Sequence, residues 1–337
     1  MLSSEEIKKV EEIKAIFDTN ELYQTICAAY LNKFERIISK DLIDSITNGD
    51  KSFDVITFSN YLANVFIEDE NLAKKMHSLY FSNSIRKINP KQYENNLFLK
   101  NIKVPVMSYG KWSFNYQTYE PYEGFICDDY LIKDKYYEIP QIGFFDEKYE
   151  YPTVFEDGRE WMAIKPNEIE TMRLPIENAF GDVVVFGLGL GYFTYMVSEK
   201  DSVRKIRVIE KSSEVIELFR KYIMPQVKNA DKIEIINEDA FVYAEKDLKN
   251  GCDYAFVDLW HDTLDGIEMY TKMKKLEKGM NTKKVDYWIE KSLLIEIRKK
   301  VFDSIYKSAK NKTNNLNFEN IEFSLDLDNL KKAISNV

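Results

Sequence analysis

The chain has 337 residues, of which 45% are apolar and 31% charged, with a net charge of −9; this excludes a disordered polymer and allows two domains with a core in each. No apolar run reaches the roughly 18 residues of a membrane span, and Met1-Leu-Ser-Ser-Glu-Glu lacks the basic and apolar regions of a secretion signal, so a cytoplasmic protein is expected. Three distant cysteines, Cys27, Cys127 and Cys252, and only two histidines, His77 and His261, exclude a disulfide framework and a histidine-rich metal centre; no metal site is expected.

Up to about Asn89 the apolar spacing predicts amphipathic helices at Glu5 to Phe17, Glu21 to Ile46 and Leu72 to Ile88, broken near Asn48-Gly-Asp. From about Asn101 to Trp161 the pattern changes to short apolar runs with Gly and Pro punctuation and many aromatics, among them Trp112, Phe114, Tyr119 and Tyr151. Short strands in a small antiparallel sheet fit that pattern. The expected organisation is an accessory region over 1–160, helical over 1–95 and β over 100–160, followed by a second domain over 161–337. The aromatic segment would either wall a neighbouring active site or use tyrosine as an ordinary strand former with a wet end.

Lys165-Pro-Asn-Glu168-Ile-Glu-Thr-Met172 reads as a helix start, with Pro at the first turn. Asp182-Val-Val-Val-Phe186 then reads as a strand covered on both faces. It runs into Gly187-Leu188-Gly189-Leu-Gly191, where alternate glycines allow a sharp turn and close approach of a ligand. A dinucleotide fingerprint requires Gly-x-Gly-x-x-Gly, but Tyr192 stands three beyond Gly189 and Thr194 three beyond Gly191, so a nicotinamide cofactor is disfavoured. Lys205 to Glu210 is a second strand ending in an acid, which suits two ribose hydroxyls because a carboxylate accepts both hydrogen bonds. A helical pattern from Ser212 to Tyr222 follows. Lys232 to Asp239 is a third strand and Cys252 to Asp258 a fourth, which implies βαβ units in a doubly wound parallel sheet.

The Gly-x-Gly-x-Gly loop followed in order by Glu210, Asp239 and Asp258 resembles the class I S-adenosylmethionine-dependent methyltransferases and their aminopropyltransferase relatives, over roughly 167–290. The resemblance implies an α/β fold with a Rossmann-like methyltransferase sheet and S-adenosylmethionine as cofactor. It implies that Gly187, Leu188, Gly189, Gly191, Glu210, Lys211, Asp239, Ala240 and Asp258 bind that cofactor, with Asp239 accepting from the adenine amino group. Many members carry an acid two positions before the first glycine, where this chain has Val185. Spermidine synthases tend to be apolar there and have an acid-bearing helix comparable to Lys165 to Met172, so the resemblance leans toward that branch.

Beyond the fourth strand, Asp265 to Leu276 predicts a helix, Val285 to Glu290 a short apolar stretch, and Lys291 to Ala309 a long helix. Leu316 to Val337 holds at most one strand around Ile321-Glu-Phe-Ser and a short helix. Neither a fifth strand nor an edge hairpin is plain, so an abbreviated sheet of five or six strands is expected. Asp258, His261 and Asp262 are the catalytic candidates, His261 for its pKa near neutrality. Trp260 would stack on an acceptor or simply pack. In spermidine synthases this strand ends in an acid, two small residues and a second acid; here Leu259 and Trp260 replace the small residues and the second acid is shifted to Asp262. Methyl transfer to a small-molecule or peptide acceptor is therefore expected, with aminopropyl transfer from decarboxylated S-adenosylmethionine and a non-catalytic nucleoside-binding module as alternatives. The acidic balance disfavours nucleic acid, although 271–312 carries 13 Lys and Arg against 5 Asp and Glu, either a solvated helical face or a face for an acidic partner.

Overall fold

In the computed structural model, residues 4–33, 36–246 and 251–311 are described. The expected elements after Leu316 lie outside them. The N-terminal part is helical: α1 (Ser4–Leu31), α2 (Lys40–Thr47), α3 (Asp54–Phe66), and α4 (Glu70–Met76), which passes through a π turn at His77–Phe81 into α5 (Ser82–Ser84). Asn48, in the left-handed region at φ 53°, ends α2 where the Asn-Gly-Asp break is predicted.

One strand interrupts the predicted helical stretch. β1 (Ile85–Lys87) pairs parallel with β5 (Tyr137–Phe144), which also pairs antiparallel with β4 (Phe125–Lys133). Its three residues are too few for a period-2 signal, and only a partner more than fifty residues away makes them a strand. Two short helices, α6 (Lys91–Glu94) and α7 (Leu97–Asn101), lead to a second sheet of order β2-β3-β6-β7, formed by β2 (Met107–Tyr109), β3 (Trp112–Tyr119), β6 (Tyr149–Glu156) and β7 (Arg159–Ala163). The aromatic segment thus builds parts of two sheets, where one was expected. The buried side chains follow this split. Phe58, Tyr80, Ile142 and Phe144 belong to a cluster with the N-terminal helices, while Trp112, Phe114, Tyr151 and Val154 share the large cluster of the parallel sheet.

That sheet is five-stranded and parallel, of order β10-β9-β8-β11-β12: β8 (Gly181–Phe186), β9 (Val203–Glu210), β10 (Ile233–Asn237), β11 (Cys252–Val257) and β12 (Thr282–Tyr287). Its helices are α8 (Pro166–Asn178), α9 (Tyr192–Ser198), α10 (Ser213–Leu218), α11 (Ala240–Lys246), α12 (Thr263–Glu277) and α13 (Glu290–Asn311). Val183, Val184, Val185 and Phe186 are each at most 2% exposed. Burial at this level contributes about 1.5–3 kcal/mol per side chain, which makes β8 the centre of the sheet. The fifth strand, which falls within the expected five or six but whose place was not plain in the sequence, is an edge strand. Its polar start, Thr282-Lys-Lys, is accommodated because Lys283 ion-pairs with Asp253 of β11. α10 stops four residues short of the predicted Tyr222 and continues as a π turn, Phe219–Ile223. Among the described residues no helix is long and apolar enough to cross a membrane.

β9 and β10 lie on one side of β8, and β11 and β12 on the other. The chain therefore reverses its direction of growth at β8, and a crevice opens beyond its carboxyl end. The glycine loop occupies that switch point.

Candidate functional site

A cavity of about 240 Å³ lies beyond the carboxyl ends of the parallel strands. Gly187, Leu188 and Gly189 form its floor after β8, Glu210 and Lys211 follow β9, Asp239 and Ala240 follow β10, and Asp258 follows β11. The wall opposite is the antiparallel sheet, through Trp112 and Phe114 of β3 and Trp161 and Met162 of β7. All four tryptophans of the chain, Trp112, Trp161, Trp260 and Trp288, line this one cavity.

The loop glycines are required by the protein's own packing. Gly187 has φ +99°, and a Cβ there would stand 2.0 Å from the backbone oxygen of Asp258. Gly189 has φ +51°, with Met162 Sδ 2.2 Å from where its Cβ would be. Met162 Sδ also accepts from the Leu190 N–H at 3.2 Å, so β7 lies directly on the loop. Gly191 is set apart: at φ +75° it begins α9 and packs against Phe219, away from the cavity lining.

Glu210 accepts from Leu188 N at 3.1 Å through Oε2 and from Ser212 N at 2.7 Å through Oε1. These bonds fix the carboxylate against the loop, and each oxygen keeps a lone pair for a further donor. Burial raises its pKa above the usual range, opposed by the same backbone N–H groups. Asp239 Oδ1 accepts from Phe241 N at 2.9 Å and Val242 N at 3.2 Å, so one of its oxygens caps α11.

Two further carboxyl groups, Glu168 and Asp258, line the same cavity. Glu168 comes from the first turn of α8, which starts on Pro166 and turns Glu168, Ile169 and Met172 inward. Glu168 is 7% exposed. Burial pushes its pKa up to about 8, with the charge of Asp258 adding to the rise. Asp258, set in place by its N–H bond to Phe186 O at 2.9 Å, is pushed up to about 7 by removal from water and by the charge of Glu210. A buried carboxyl is costly when ionised, so withdrawal from water raises both groups, opposed at Glu168 by the charge of Lys165.

The three catalytic candidates separate in space. Asp258 lines the cavity, but His261 and Asp262 do not. His261 Nε2 lies 2.9 Å from Glu160 O, and its Nδ1 lies 3.3 Å from both Arg159 Nη2 and Asp262 Oδ2. With Nε2 as donor to that carbonyl, the ring joins β7 to the start of α12. Asp262 caps α12, accepting from Leu264 N at 2.7 Å in a capping box with Asp265. Both side chains are committed to this junction. Trp260 is 3% exposed, lines the cavity and packs over Gly266. Glu168, Trp112, Trp161 and Met162 were not among the expected site residues. Their signals were a helix start and an aromatic-rich strand region, and neither says which cavity a side chain reaches.

Among the described residues, no group of three or more His, Cys, Asp or Glu side chains is arranged to hold a metal ion. No family model matches this chain. No curated protein matches it. Among solved structures it is similar to the spermidine synthase of Thermotoga maritima, at 22% identity over 38% of this chain and 49% of that one, with a TM-score of 0.28. It is similar in the same measure to a spermidine synthase in complex with the transition-state analogue AdoDATO, at 22% identity over 38% of this chain and 48% of that one, with a TM-score of 0.28. The matched region spans about half the length of each of those chains.

Proposed function

We propose that the cavity holds an adenosyl sulfonium and that the chain transfers an alkyl group from its sulfur to an amine, with aminopropyl transfer from decarboxylated S-adenosylmethionine as the first reading. The observation that carries it is the pair of buried carboxyls, Glu168 and Asp258, that line the cavity together with the glycine loop. With the ribose on Glu210 and the adenine beside Asp239 and Ala240, the donor's tail extends toward that pair. The basic residues of the lining are Lys111, ion-paired with Glu156, and Lys211, at the ribose end. Once that pair is ionised, a tail carboxylate would face like charge, worth about 4 kcal/mol for unit charges at 4 Å and an effective dielectric of 20. A tail that is only an ammonium meets two carboxylates and aromatic faces, which attract cations.

In the transfer, the amine nitrogen attacks the carbon bound to sulfur, the carbon–sulfur bond breaks, and a neutral thioether nucleoside leaves. An ammonium acceptor must first lose a proton. In this reading Asp258, which lines the cavity, takes it.

Methyl transfer to a small-molecule or peptide acceptor is the second reading. Trp260 supports it, because the buried indole stands directly after Leu259 and Asp258 and narrows the cavity where a diamine would run. Nucleic acid is the less suitable partner. In the basic stretch, Lys283 pairs with Asp253 and Lys299 with Glu296, while Arg298 pairs with the buried Glu138.

Calorimetry with S-adenosylmethionine, S-adenosylhomocysteine and decarboxylated S-adenosylmethionine tests the proposal. The decarboxylated donor is expected to bind at least about tenfold more tightly than S-adenosylmethionine. Its affinity is expected to fall about tenfold or more from pH 8.5 to pH 6.5, because protonating Glu168 and Asp258 removes the charge that holds it. Preference for S-adenosylmethionine would select methyl transfer, binding without turnover a nucleoside-binding module, and failure of all three to bind would reject the site. Glu210→Ala is expected to weaken the binding ligand by more than about tenfold, since it leaves two ribose hydroxyls without a charged acceptor. Unchanged affinity would show that the nucleoside does not lie on β9.

A further inference from the structure

Trp288 stands one residue beyond β12. The register Val257↔Tyr287 sets it across from Asp258, and its N–H donates to Val257 O at 2.9 Å. Its indole N–H donates to Thr171 Oγ1 at 3.0 Å, and Thr171 lies on α8 one turn after Glu168. A single residue thus bridges the two elements that carry the buried carboxyl pair, by its backbone N–H to one and its indole N–H to the other. With its donor consumed by Thr171, the surface Trp288 offers the cavity is ring carbon. The next residue, Ile289, has φ +45°, a left-handed conformation rarely adopted by a β-branched side chain. That strained turn carries the chain from β12 into α13 within two residues and leaves Trp288 against the cavity, 6% exposed. Backbone strain of this kind persists where the surrounding structure enforces it, and it clusters at sites that position a working group.

We propose that Trp288 determines which tail the ligand carries beyond its sulfur: its ring walls the carboxyl pair and selects a compact cationic tail over an uncharged one, with Thr171 as the residue that positions the ring. The inference rests on the cavity being an adenosyl-sulfonium site, and it adds the discriminating surface to that reading. An indole face next to two carboxylates attracts a cation while excluding the water that would screen it.

The test compares two probes that share a nucleoside. Decarboxylated S-adenosylmethionine carries the charged tail, and methylthioadenosine carries a neutral methyl group. Trp288→Leu is expected to weaken the charged ligand by about tenfold or more while changing methylthioadenosine by less than about threefold. Trp288→Phe, which retains an aromatic face, is expected to lose less than Trp288→Leu. Thr171→Val is expected to lower the ratio of the two affinities in the same direction, with an unchanged melting temperature showing that the fold is intact. Equal losses for both probes, or no loss for the charged one, would overturn the role of Trp288. Should Trp288→Leu fail to fold, Trp288→Phe and Thr171→Val still decide through the affinity ratio. Failure of the unmodified protein to bind methylthioadenosine would instead reject the adenosyl reading itself.

Discussion

Asp258→Asn is expected to lower turnover by about 10²–10⁴-fold, the usual effect of removing a general base, while methylthioadenosine still binds within about threefold. Steady-state kinetics and calorimetry on the same preparation check this, and turnover within a factor of about three of the original would remove Asp258 from the chemistry. The same substitution has an opposite effect on stability. The pKa of Asp258 is raised from 3.8 to about 7 and that of Glu168 from 4.5 to about 8, chiefly because each is withdrawn from water. The unfolded chain therefore ionises both groups at a lower pH than the folded protein does. Their contribution to stability is fully present below about pH 4 and is lost as pH rises through 7 and 8. Between those limits the unliganded protein is expected to lose stability, and Asp258→Asn or Glu168→Gln to flatten the loss. Either variant is expected to exceed the original by on the order of 2 kcal/mol at pH 8. Thermal or urea unfolding across pH 4.5–8.5 measures it; stability that rises with pH over this range would mean that both carboxylates are ionised and partnered.

Gly187→Ala is expected to destabilise the fold by more than about 3 kcal/mol and to abolish ligand binding. The added methyl would sit 2.0 Å from the carbonyl oxygen of Asp258, and φ at this residue is +99°. The clashing atom is backbone, held by the bond from Asp258 N to Phe186 O, so no side-chain rotation relieves it. Gly158→Ala is the control. It too has a positive φ, +79°, but nothing lies within 4 Å of its added methyl. Backbone preference alone then sets its cost, about 1 kcal/mol. Equal losses for the two variants in urea unfolding would show that the contact with Asp258 does not constrain the loop.

His261 and Asp262 show where local reading reached its limit. Their position after the fourth strand placed them correctly at the carboxyl edge of the sheet. However, a histidine next to an aspartate reads the same in sequence whether it faces a substrate or joins two elements. The deciding partner of His261 is Glu160 O, 101 residues earlier, and only docking of β7 brings it there. Asp262 is similar, since Asp followed three residues later by Asp265 is also a capping pair, and that is how the helix uses it. The place of the fifth strand was not plain for a related reason. Its two lysines suit an edge, Lys283 pairing with Asp253 of β11 and Lys284 with Asp286 of its own strand.

The sequence by itself determined the glycine-loop half of the cavity. An apolar run, alternate glycines and an acid at each following strand end are local patterns, because the burial of a central strand and the turn that ends it are settled within a dozen residues. The glycines, however, mean more than a close approach to ligand. Gly187 and Gly189 make room for Asp258 and Met162, contacts that exist only once β11 and β7 are in place. The other half of the cavity was decided by tertiary structure alone. Glu168, Trp112, Trp161 and Trp288 come from four separate elements, α8, β3, β7 and the turn after β12, and they meet because the antiparallel sheet packs across the carboxyl edge of the parallel one. No periodicity encodes that meeting, since it depends on how two separately patterned sheets bury their apolar faces against each other.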